Sequence, residues 1–189
     1  MATQEVQNPE SESLSVASRF VETPDAELLD LLYPTKGPAG RCVARTILSL
    51  VSVDDKLDLE KAKELARWVS IQNYNSSLSI VDLFLALEEE GKLEGKYLSK
   101  MFNPSECSIE KLRSIVDSPD MQACILIELH DEASGVVEQH LAHIDSIQID
   151  DSGVITSIKS RSDRGLIEKY ILEALNKKTS FSLFVLSQI

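Results

Sequence analysis

A chain of 189 residues that is 43% hydrophobic and 26% charged has the make-up of an ordinary globular protein with one full hydrophobic core. Its formal charge of −12 at pH 7 repels phosphate backbones and anionic lipid, so nucleic acid and membrane surfaces are excluded as expected partners, while a basic protein partner is not. No apolar run has the length of a membrane span, and the opening Met1-Ala2-Thr3-Gln4-Glu5 lacks the features of a signal peptide, so the expected compartment is the cytoplasm or one reached by a signal-less route. Cys42, Cys107 and Cys124 form no close pair, and neither HExxH nor CxxC occurs, so no disulfide framework, metal or cofactor is expected.

Residues 1–20 are polar and rich in Ser, Glu and Gln, and read as a flexible tail. The remaining 21–189 read as one α+β domain. Thr23 is expected to cap a short helix, with Pro24 at its first position and Leu28, Leu29, Leu31 and Leu32 along it. A bend through Gly37, Pro38 and Gly40 then runs into Val43, Ile47, Leu50 and Val51, whose spacing is helical, so a helix begins at or beside Cys42. A thiol there meets unpaired backbone N–H groups and the positive end of the helix dipole, and Arg41 and Arg45 add positive charge, an environment that favours thiolate. Free cysteine also commonly does no more than fill space in a core. Cys42, however, lies about 100° around the helix from Val43, on the side shared with Arg45, Thr46 and Ser49.

An amphipathic helix follows from Asp58 to about Ile71, and Ser79 caps another that carries Ile80, Leu83, Phe84 and Leu87 and stops at Gly91. The stretch through Tyr97, Met101 and Phe102 reads as irregular, and Ser108 to Val116 as a short helix. Beyond Pro119 the period changes. Ala123 to Leu129 is a continuous apolar run of strand length, expected to be covered on both faces. A turn at Asp131–Gly135 leads to a second strand from about Val137 to Ile149, and a four-residue loop, Asp150–Gly153, to a third at Val154–Ile158. Ser162 or Asp163 starts a helix through Leu175, and Phe181–Leu186 forms a fourth strand.

A helical half that opens on a cysteine at a helix start, followed by a sheet half that carries a histidine, resembles papain-like cysteine peptidases over residues 37–189. The likeness is greatest to the compact branch typified by bacterial double-glycine leader peptidases. The elements that carry it are Cys42-Val43-Ala44-Arg45-Thr46-Ile47, Ser77 to Leu83, Ala123 to Leu129 and the strand opened by His140-Leu141-Ala142-His143. More locally, Gly40-Arg41-Cys42-Val43-Ala44-Arg45 is similar to the cysteine motif of ovarian-tumour-type deubiquitinases, although Ala39 stands where that family has aspartate and no His-aromatic pair closes the chain. The first resemblance implies a papain-like fold and a cysteine peptidase or isopeptidase. It departs from that family in two places: residues 33–41 contain no glutamine to bind the oxyanion, and Lys159-Ser160-Arg161-Ser162-Asp163 replaces the usual Asp-Pro or Asn-Ser.

Two histidines, His140 and His143, compete for the role of base, and either could be an ordinary strand residue. With four loop residues, Ile149 faces Val154, His140 faces Asp163 and His143 faces Ser160, so only His140 gains a carboxylate. The expected site is therefore Cys42 as nucleophile, His140 as base and then acid, and Asp163 as the group that orients the ring, with His143 as the alternative base. Asp163 or Ser162 could instead only cap the following helix. The same residues would support glutamine deamidation or acyl transfer on a protein or peptide substrate. A non-catalytic papain-like module, an acidic adaptor for a basic partner, is the rival expectation.

Overall fold

The computed structural model describes residues 25–33, 42–52, 57–75, 79–131, 135–163 and 165–189. The expected tail, Thr23, the Gly37–Arg41 bend and the Ser77-Leu78 pair lie outside the described residues. The chain is α+β, with six α-helices and one antiparallel sheet of five strands among the described residues.

Helix α1 (Ala26–Leu32) is capped by Asp25, whose carboxylate accepts from the Leu28 N–H at 3.0 Å, so an acidic residue caps where Thr23 was expected. Helix α2 (Cys42–Val51) opens on the cysteine. It is followed by α3 (Leu59–Asn75), a turn longer than its apolar spacing suggests, and α4 (Ile80–Glu89), where the Ser79 hydroxyl accepts from the Asp82 N–H at 3.2 Å. Gly91, at φ 67°, takes the left-handed conformation that ends the helix.

The stretch expected to be irregular is strand β1 (Lys96–Phe102). A short 3₁₀ turn (Pro104–Glu106) leads to α5 (Ile109–Val116), capped by Ser108. The long hairpin β2 (Met121–Asp131) and β3 (Val136–Ile149), then β4 (Ile155–Ser160), α6 (Leu166–Asn176) and β5 (Phe181–Gln188) complete the order. The sheet runs β1-β5-β2-β3-β4, all antiparallel, so the strand nearest the helical half in sequence pairs with the last strand of the chain.

The sheet lies between two layers of helix. On one face Cys124, Leu141, Phe184 and Leu186 pack with α1 to α4. On the other, Ala123, Ile125, Ile127, Leu183 and Val185 pack with α5 and α6. Alternate residues of β2 thus enter two different cores, which is why its apolar run is unbroken.

The β3–β4 register differs from the expected one. The Asp150 N–H donates to the Val154 carbonyl at 2.9 Å, so the loop is the three residues Asp151, Ser152 and Gly153. Gly153, at φ 82°, supplies the left-handed turn residue, and the Asp150 carboxylate accepts from the N–H groups of Ser152 and Val154. Bulges between Ile144 and Ser146 and between Gln148 and Ile149 shift the ladder further, so Ser160 pairs with Ile144 rather than with His143.

Candidate active site

Helix α2 lies across β3 with its polar side turned to the strand. Cys42, Arg45, Thr46 and Ser49 sit at helical spacings of three and four residues, and each meets a polar group of β3 or of the segment that follows β4. The Thr46 hydroxyl donates to the Leu141 carbonyl at 3.0 Å, and the backbone N–H of Leu141 faces the Cys42 sulfur. Both polar groups of Leu141 are therefore taken up by α2, which fixes the strand beside the cysteine.

The sulfur of Cys42 stands within hydrogen-bonding reach of the His140 imidazole. The opposite ring nitrogen, Nε2, lies 2.9 Å from Asp163 Oδ2. Nε2 is committed to the carboxylate, so Nδ1 is the nitrogen left for the sulfur. All three groups are buried: Cys42 and His140 are each 7% exposed and Asp163 is 3% exposed.

Asp163 lies beyond the end of β4, not in the ladder position expected for it. Its Oδ2 accepts from the hydroxyls of Ser160 at 3.2 Å and Ser162 at 3.1 Å, and its N–H donates to the Ser160 hydroxyl at 3.1 Å. Neither Ser162 nor Asp163 caps the next helix. Gly165 precedes α6, and Glu168 reaches back to accept from the Gly165 N–H at 3.1 Å and the Ser160 N–H at 2.9 Å. Glu168 thereby pins both ends of the segment that carries Asp163, leaving its carboxylate to face His140.

His143 has a different environment. The Ser49 hydroxyl donates to the Thr46 carbonyl at 2.7 Å, so it accepts from His143 Nδ1 at 3.0 Å, which makes Nδ1 the protonated nitrogen. The backbone N–H of His143 donates to the Ser162 hydroxyl, and its carbonyl accepts from the Arg161 N–H. Of the two histidines, His140 is the one placed against both Cys42 and Asp163.

The electrostatics follow from this geometry. Burial alone would raise the Cys42 thiol, but the hydrogen bond and charge of His140, the Leu141 N–H and the charge of Arg45 bring it below the ordinary value of 9.0. For His140, burial works toward the neutral ring, and Asp163 together with the Cys42 sulfur outweighs it, raising the imidazole to about 10. Asp163 is held below the usual carboxylate value: burial opposes ionisation, and His140, Arg45 and Ser162 overcome it. The arrangement can hold a thiolate–imidazolium pair with a carboxylate behind the ring. The remaining cysteines lack such partners: burial raises Cys107, and Cys124 rises far above the ordinary thiol range.

Four contributors escape a reading of the sequence. Arg45, expected only to add charge near the thiol, pairs with Asp163 at 3.6 Å. Tyr33 stacks on that guanidinium, and the Ser160 and Ser162 hydroxyls bind the carboxylate. The local signals are the three-residue step from Cys42 to Arg45 and the Ser-x-Ser-Asp string.

No protein family's model matches this chain, and neither a curated protein nor a solved structure shows significant similarity to it.

Proposed function

We propose that this protein is a papain-like cysteine hydrolase that cleaves a peptide or isopeptide bond, with Cys42 as nucleophile, His140 as acid and base, and Asp163 as the positioning residue behind the ring. The observation that carries the reading is one imidazole held between a helix-opening thiol and a buried carboxylate. Supporting it are the α+β architecture, the lowered thiol and the resemblance in element order to compact leader peptidases.

In the acylation step the Cys42 thiolate attacks the substrate carbonyl carbon and forms a tetrahedral oxyanion. As the C–N bond breaks, the His140 imidazolium gives its proton to the leaving amine, and an acyl-thioester remains on Cys42. His140, now neutral, takes a proton from water, the hydroxide attacks the thioester, and the carboxylic acid leaves as the thiolate returns. At the start of α2 the backbone N–H of Cys42 is the available oxyanion donor. A missing second donor costs about 3 kcal/mol of transition-state stabilisation, so turnover is expected to be slow unless the substrate or another N–H supplies it. With glutamine as substrate the same steps release ammonia, and with an amine as acceptor they transfer the acyl group.

The test is a peptide-amide substrate with a Gly-Gly scissile site, incubated with the wild-type chain and with Cys42→Ala, and read by mass spectrometry for a thioester intermediate and its products. An acyl adduct on Cys42 with release of the amine, both absent in the variant, supports the proposal. A second reading, a non-catalytic module that docks a basic protein, is favoured by the near-complete burial of Cys42 and the charge of −12. It predicts no adduct and equal partner capture by both proteins.

A further inference from the structure

We propose that Arg45 is a second positioning residue of this site, the outer member of a charge-balanced chain that runs Cys42, His140, Asp163, Arg45, and that Tyr33 anchors it there. The inference rests on the thiol-hydrolase reading above. Arg45 lies one turn along α2 from Cys42, and its Nη2 is 3.6 Å from Asp163 Oδ1. The other carboxylate oxygen, Oδ2, takes His140 at 2.9 Å. The two oxygens of Asp163 are thus divided between imidazole and guanidinium. The Arg45 guanidinium carbon is 4.5 Å from the centre of the Tyr33 ring at the end of α1, a stacking distance that leaves the edge of the guanidinium to the carboxylate. The side chains are 14% exposed for Arg45 and 1% for Asp163, so solvent screens this pair weakly.

The charge count gives the reason for a fourth member. Thiolate, imidazolium and carboxylate together carry a net charge of −1 in a buried place, and burial of an unbalanced charge is strongly unfavourable. The guanidinium brings the sum to zero. Without it, the surplus is removed by protonating either Cys42 or Asp163, and each outcome reduces the reactive pair. Arg45 also holds the carboxylate against the pull of His140, so the imidazolium stays able to release its proton to a leaving group. The other titratable groups that face this cluster are placed elsewhere: His143 on β3 binds Ser49, Glu168 on α6 binds the Ser160 and Gly165 N–H groups, and Cys124 on β2 lies opposite His143.

The experiment is the rate of Cys42 alkylation by iodoacetamide against pH, followed on the Cys42 peptide by mass spectrometry, in the full-length wild type and in Arg45→Gln, Arg45→Lys and Tyr33→Leu. Removing the cation moves the midpoint of the acid limb upward by about one pH unit in Arg45→Gln, the usual effect of losing a nearby opposite charge. Arg45→Lys restores at least half of that shift. A role confined to packing would change the plateau and leave the midpoint in place. Should Arg45→Gln fail to fold by circular dichroism, Tyr33→Leu, which unseats the guanidinium, is expected to move the midpoint in the same direction. An Arg45→Gln midpoint equal to wild type, or in its absence an unmoved Tyr33→Leu midpoint, overturns the inference. A wild-type midpoint near the ordinary thiol value of 9.0 instead overturns the hydrolase reading itself.

Discussion

At the scale of the residue, the protonation state of Cys42 depends on what lies beside it. Its own burial opposes ionisation, and His140, itself raised by Asp163, is the group that most lowers the thiol against that burial. His140→Gln removes that support and is expected to slow alkylation of Cys42 at neutral pH by roughly 10- to 100-fold, as the thiol returns toward its ordinary value. An unchanged rate would mean that the helix terminus alone activates the sulfur. Hydrolysis, which also needs the imidazolium proton, should fall again as pH rises through the His140 value of about 10. In Asp163→Asn this alkaline limb moves to lower pH, because the ring loses the charge that raises it. Cys42, His140 and Asp163 are legible in the sequence as a group, through the helix that starts after the Gly-Pro-Gly bend and the hairpin that follows His140, although Asp163 meets His140 from beyond the end of β4 and not from the expected ladder position. The part played by Arg45 is not, since a guanidinium on a helix can point to solvent, to the thiol or to a carboxylate from another element.

At the scale of the element, helix α2 and strand β3 act as one unit because polar groups on the helix satisfy polar groups on the strand. Thr46→Val deletes the hydrogen bond to the Leu141 carbonyl, and Ser49→Ala deletes the one that His143 Nδ1 donates. Each is expected to lower unfolding free energy by about 1 kcal/mol, measured by urea denaturation, because a buried hydrogen bond is lost. Values within experimental error of zero would show that water reaches this interface. The helix starts at Cys42, Ser79 and Ser108 and the stop at Gly91 could be read ahead of the structure, and the two serines and the glycine act as their residue types suggest. Strand β1 could not. Lys96, Ser99 and Lys100 break its apolar alternation, the pattern of an edge strand with a bulge between Leu98 and Lys100, and it gains its pairing from β5, more than eighty residues later. The β3–β4 register was equally hidden, since Asp150 turns the apparent four-residue loop into three and bulges are set by local twist that composition does not reveal.

At the scale of the whole molecule, a doubly covered sheet ties the site to both cores. Ile125 is fully buried in the layer under α5 and α6, away from the cysteine. Ile125→Ala is expected to cost about 2–5 kcal/mol of stability while leaving the midpoint of Cys42 alkylation unchanged, which separates fold from chemistry. Stability should also depend on acid through Asp163. Its folded value lies below the ordinary 3.8, so its contribution is complete above that value and is lost as pH falls through the lower folded one. The gap in melting temperature between wild type and Asp163→Asn should therefore narrow as pH falls below 3.8. A constant gap would mean that the carboxylate is not ionised in the folded chain. The two-sided burial of the sheet is legible in the unbroken run Ala123–Leu129, but the placement of α5 and α6 opposite the other helices is not, because an amphipathic helix does not record which face of a sheet it will cover.

The proposed chemistry requires a charged sulfur in a buried place. Ultraviolet absorbance of the thiolate, followed against pH in wild type, Cys42→Ala and His140→Gln, measures that charge directly. The prediction is a thiolate signal in wild type well below the ordinary thiol value of 9.0, absent from Cys42→Ala and displaced to higher pH in His140→Gln. A wild-type signal that first appears near 9.0, unaltered by His140→Gln, would contradict it.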